Sequence, residues 1–235
     1  MTNQAEPPTN WGRCSPEDER GTLNLISDEV RASAVAEARS GRTVSLSRPL
    51  TTTPLRAGPT PGVPATSTSA LQVAMHTGPG PGAMAELLIL VPHAPDVTHF
   101  DSPPKPSSTG GSSRGGRSRT AGMGGLRHGS TAIFADEVIT RGALLDLAPG
   151  GEFPAGHPVP PATSGMPSPP LEATLRSPLH AVGRNRFGMP LIDGADPTDL
   201  VIACAEEGRC SFLFVAGPPR LHLATGVSVE PARHL

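Results

Sequence analysis

The chain has 235 residues, with 19 basic and 21 acidic side chains and a formal net charge of -2. That suffices for one domain of generous size, and no basic excess exists to hold a phosphate backbone, so nucleic-acid binding is not expected. Pro (29) and Gly (27) make up about a quarter of the residues, and aromatics only 3%, with six Phe, one Trp and no Tyr, so the core must be aliphatic.

In chain order, Ser15-Pro16-Glu17-Asp18 predicts a helix start: a hydroxyl cap, Pro at the first helical position, acids in the first turn. Ser27 caps a second helix over Asp28–Arg39, with Val30, Ala34 and Ala38 on one face and Gly41 as its stop. Thr43 to Leu46 alternates like a short strand. Residues 51–83 are rich in Pro, Gly and Thr and read as a long loop. Leu87–Val91 is a continuous apolar run, which suits a strand buried on both faces. Val97–Asp101 reads as a second short strand. Residues 102–125 lose all periodicity and read as a low-complexity segment. Pattern returns at Thr131–Asp136 and in a predicted strand over Ala143–Leu147, then dissolves into Pro and Gly over 148–178. His180–Phe187 reads as a helix stopped by Gly188, Leu191-Ile192 as a strand, Pro197–Glu207 as a helix capped by Asp196 and ended by Gly208, and Ser211–Ala216 as a buried strand. This alternation predicts a single α/β domain over 1–235 with long Pro/Gly-rich loops.

Three Cys, at 14, 204 and 210, form no CxxC pair and fit a reducing, cytoplasmic setting. The opening residues lack the apolar core of a signal peptide, and Leu87–Val91 is too short to cross a bilayer, so no membrane partner is expected.

Chemistry concentrates in HAPDVTHFD, which holds His93, His99 and Asp101. On a strand, His99 and Asp101 point to the same side, about 6–7 Å apart along the chain. A divalent metal suits imidazole and carboxylate together; two surface histidines and a loop Asp are the plainer alternative. His180 and Asp193 form a second pair that only tertiary folding could join to the first. Alone, they read as a helix-end His and a turn Asp. No GxSxG elbow and no P-loop is present, and the Pro-interrupted GPGPG at 78–82 cannot cradle phosphate. Metal-assisted hydrolysis is the one chemistry the residues suggest.

Several blocks are familiar in their order. They are Asn10-Trp11-Gly12-Arg13, Asp18 to Ile26, Gly41 to Leu46, HAPDVTHFD, Ile139 to Asp146, Gly188 to Asp193, Ala203 to Gly208, Phe212 to Val215, and Thr225-Gly226. Together they resemble a long branch of the cyclase family related to bacterial kynurenine formamidases, which are metal-dependent hydrolases. The resemblance implies a swivelling β/β/α fold, incomplete here, and a mono- or binuclear site taking zinc or manganese. It implies hydrolysis of an amide or ester of a small-molecule substrate, formamidase- or lactonase-like, or the reverse ring closure. His93, His99 and Asp101 would be first-motif ligands, His180 the later His ligand, and Asp193 would stand where the family more often has Glu. A homo-oligomer is left open.

The chain also departs from that pattern. Lys105 stands where the first motif should close with another His, Cys14 replaces a Trp, Glu230 replaces a late Asn, and the stretch between Val159 and Leu171 is shorter than in the family. We read the low-complexity stretches as compensated frameshifts with an internal deletion. Two functions follow as expectations: a metal-dependent hydrolase or cyclase using a metal-activated water, or a catalytically inactive, partly disordered remnant of the family.

Overall fold

The computed structural model describes residues 9–50, 69–78, 82, 84–103, 121–122, 125–126, 129–134, 136–145 and 179–235. Lys105, Asp146, Leu147 and most of the predicted loops at 51–83, 102–125 and 148–178 lie outside them.

Two antiparallel sheets carry the architecture. The first runs in the order β1 (Thr43–Ser45), β11 (Ala232–His234), β9 (Ser211–Ala216), β7 (Val138–Ala143). The second runs β10 (Gly226–Ser228), β4 (His99–Asp101), β8 (Leu191–Asp193). A separate hairpin joins β2 (Ala70–His76) to β3 (Met84–Leu90), and β5 (Ala121–Gly122) pairs with β6 (Gly125–Leu126).

Helix α1 (Asp28–Val35) starts as its sequence dictates: the Ser27 hydroxyl accepts from the Val30 N–H, with Asp28 and Glu29 in the first turn. It packs on β7 and β9 and buries Ala34 completely. Helix α2 (Thr198–Glu207) ends at Gly208 in the left-handed region, φ 65°. The Asp196 carboxylate accepts from the Thr198 N–H and hydroxyl, at 3.0 and 2.6 Å, so the cap signal acts two residues ahead of the first helical residue.

Side-chain alternation along β9 then sets the layers. Ser211 bonds Glu37 beside α1, whereas Phe212 packs with Leu200, Ala203 and Cys204 of α2. A second cluster (Leu23, Phe100, Phe134, Val138, Ala216, Val227, Val229) joins the two sheets, with the Phe100 and Phe134 rings stacked at 4.6 Å. Among the described residues no helix is long and apolar enough to cross a membrane.

Several expectations are corrected. Residues 70–76, inside the predicted loop, are a strand: Leu71, Val73 and Met75 alternate and face Ile89, Leu87 and Ala85 across the hairpin. Pro and Thr around them hid that period of two. The apolar run at 87–91 is not buried; Leu87, Leu88 and Ile89 are about half exposed, because among the described residues β3 pairs with β2 alone. The strand predicted over Ala143–Leu147 lies earlier, since pairing of Val138 with Ala216 through Ala143 with Ser211 fixes the register. α1 ends at Val35 rather than Arg39, and His180–Phe187 is a π-helical turn over Leu179–Arg184 followed by ordinary turns.

The helix start at Ser15 gives only a 3-10 turn over Gly21–Leu25. Gly21 has φ +56° and lies against Gly188, whose carbonyl accepts the Thr22 N–H at 2.9 Å. A Cβ on Gly21 would stand 2.1 Å from that carbonyl oxygen. Gly21→Ala is therefore expected to lower stability by on the order of 2 kcal/mol, read as a lower urea midpoint with unchanged m-value; an unchanged midpoint would refute the close packing.

Candidate metal centre

β4 is the middle strand of its sheet, so both neighbours fix its register. His99 pairs with Asp193 of β8 and Ser228 of β10; Asp101 pairs with Leu191 and Gly226. Phe100 enters the core, and the period of two places His99 and Asp101 on the opposite face, beside Asp193. His93 arrives from the turn before β4. It fits because β10 begins with glycine: a Cβ on Gly226 would lie 2.6 Å from His93 Cγ and Nδ1. His180 and Arg184 come from the π-helical turn.

All five candidate residues from the sequence thus meet in one place. His93 Nε2 is 2.6 Å from Asp101 Oδ1, and His99 Nε2 is 3.7 Å from the same oxygen. His180 Nε2 is 3.3 Å from Asp101 Oδ2 and 2.9 Å from Asp193 Oδ2. Two triads share Asp101: His93, His99, Asp101 and Asp101, His180, Asp193, each with its donor atoms within 4.8 Å of one another. They border a cleft of about 490 Å³ together with Pro95, Arg184 and Gly194. A larger cleft of about 730 Å³ runs past Arg48 and Glu230, but among the described residues no His, Cys or Asp lines it.

Depth and hydrogen bonding distinguish the members. His99 and Asp101 are buried, at 4% and 1% exposure, whereas His93, His180 and Asp193 reach the cleft mouth. His99 Nδ1 lies 2.7 Å from the Val97 carbonyl, which can only accept, so Nδ1 carries a proton and Nε2 is the ring atom turned toward Asp101. His93 Nδ1 bonds the Thr225 hydroxyl at 3.0 Å. Burial alone would raise the Asp101 carboxyl, but His93, Arg184 and His99 outweigh it and hold it below its ordinary value. Arg184 Nη1 donates to Asp101 Oδ2 at 2.8 Å.

Asp101 Oδ1 is buried, yet no hydrogen bond of acceptable geometry reaches it from any described residue. His93 Nε2, at 2.6 Å, meets it off the hydrogen-bond direction. Here two imidazole nitrogens face it. That donor set suits a borderline divalent cation, so the residues present fit the metal implied by the resemblance.

Sequence reading passed over Arg184 and gave Thr225 and Gly226 no role. Arg184 carried no signal, since its partner is distant in sequence. The Thr-Gly pair opening a short strand offered a weak one.

No protein-family model matches the sequence, and no curated protein matches it. Among solved structures, one described as the crystal structure of a novel cyclase aligns with a TM-score of 0.70, over 97% of this chain and 100% of that one, at 18% identity. At that identity the likeness is one of fold: a mixed, sheet-rich arrangement with few helices, its described strands all antiparallel rather than the parallel set an α/β alternation predicts.

Proposed function

We propose that this chain is a metal-dependent hydrolase or cyclase of the kynurenine formamidase-like cyclase family, with the swivelling β/β/α fold, acting on an amide or ester of a small molecule. The buried Asp101 Oδ1, faced by two histidine nitrogens on a strand-fixed frame, carries this reading. The likeness in fold to a cyclase supports it.

His93, His99 and Asp101 would hold the ion, zinc or manganese by their donor chemistry. A divalent ion there would lower the pKa of a bound water and polarise the substrate carbonyl. The chain's own groups supply the rest. Val97 and Thr225 fix the rings of His99 and His93. Arg184 holds Asp101 in place and puts positive charge in the cleft, where a carbonyl oxygen gaining negative charge is favoured. His180 and Asp193 stand half-open to solvent at the mouth, where a proton can pass to a leaving group.

The test is hydrolysis of a panel of N-formyl amides, esters and lactones by protein stripped with chelator and reloaded with zinc or manganese. Metal-restored turnover is the expected result. Metal uptake without turnover on any panel member would favour the inactive remnant, and no uptake would remove the reading altogether.

A further inference from the structure

The two triads around Asp101 offer two cation positions, and they are not equivalent. In the first, only imidazole nitrogens face Asp101 Oδ1 among the described residues, His93 Nε2 at 2.6 Å and His99 Nε2 at 3.7 Å, and no guanidinium or ammonium stands against it. In the second, a cationic side chain already holds the shared carboxylate. His180 Nε2 bonds Asp193 Oδ2 at 2.9 Å, and Asp101 Oδ2 accepts from Arg184 Nη1 at 2.8 Å. An ion in the second position would have to displace the first bond and sit against a guanidinium that holds the same oxygen.

Charge points the same way. Arg184 is four-fifths buried, with a side-chain exposure of 21%, so water screens it poorly. Two carboxylates and one guanidinium leave the cleft with a single negative charge. One divalent ion overcompensates that charge; two would leave three positive charges in a partly buried space, which nothing nearby offsets among the described residues.

We propose that the Arg184 guanidinium takes the place of a second metal, so that the centre holds one divalent ion per chain, on His93, His99 and Asp101. This rests on the metal reading of the site. His180 and Asp193 then form a hydrogen-bonded pair beside the ion, available to move protons, rather than a ligand pair.

Binding stoichiometry tests this without reference to turnover. Zinc and manganese are titrated calorimetrically into the full chain, and bound metal is counted after gel filtration. Wild type is expected to take one ion, and Arg184→Gln and Arg184→Ala two, with a second binding event that wild type lacks. Gln keeps a donor toward Asp101 while removing the charge, so it decides if the Ala variant fails to fold by circular dichroism. Two ions in wild type, or one ion in both folded variants, would overturn the role of Arg184 alone. No ion in wild type would overturn the metal reading and this inference with it.

Discussion

Asp101→Asn is expected to abolish metal loading and weaken the apoprotein together. Loss of a residue that only orients a ligand costs about 10–100-fold in metal affinity. Asp101 belongs to both triads, so its loss should exceed that range. The same change strips Arg184 of its counter-charge. Removing one partner of a buried ion pair costs about 3–5 kcal/mol, and the partial exposure of Arg184 places the effect near the lower end. Titration calorimetry reads the first effect, and urea unfolding in chelator reads the second. Asp193→Asn is the control: its side chain is 40% exposed and outside the first triad, so it should leave the first ion's affinity close to wild type. Equal losses in the two variants would contradict the assignment of the ion to His93, His99 and Asp101.

Phe212→Ala is expected to cost about 3–5 kcal/mol, the usual range for an aromatic removed from a core. Phe212 is 4% exposed on the central strand β9 and packs against α2. Its ring also faces the Arg233 guanidinium at 5.9 Å. Arg233 is fully buried, none of its guanidinium nitrogens bonds a described residue, and burial pulls its pKa down to about 10. Losing the ring removes about 1 kcal/mol of cation–π attraction as well. The measurement is the urea midpoint against that of Val201→Ala, a half-exposed site on the same helix layer where little change is expected. Similar midpoints for the two would mean that β9 and α2 do not share the core described.

Local signals fixed some elements well. Ser27 and Asp196 announce the two helices because caps act within a few residues, and Gly208 ends α2 for the same reason. The strand at 211–216 is legible from its own apolar run. The hairpin at 70–90 was half legible: the run at 87–91 was seen, but its partner was lost among Pro and Thr, and its exposure depends on what packs over it, which no window of sequence contains. At the site, His99 and Asp101 could be grouped because strand geometry relates i and i+2, and His93 because it lies within the same nine residues. His180 and Asp193 could be joined to them only through resemblance, and Arg184 not at all, since its ion pair with Asp101 exists only once β4 and the π-helical turn meet.

β4 and β8 are adjacent antiparallel strands, yet the entire chain from Ser102 to Pro190 connects them. The entropy of closing such a long connection grows only logarithmically, by about 0.6 kcal/mol per doubling. Outside β7 and the turn that carries His180 and Arg184, length in that interval is therefore a nearly neutral variable for the sheet that holds His99, Asp101 and Asp193. Residues added or removed there would leave the three side chains side by side, because the ladder between β4 and β8 and not the connection sets their spacing.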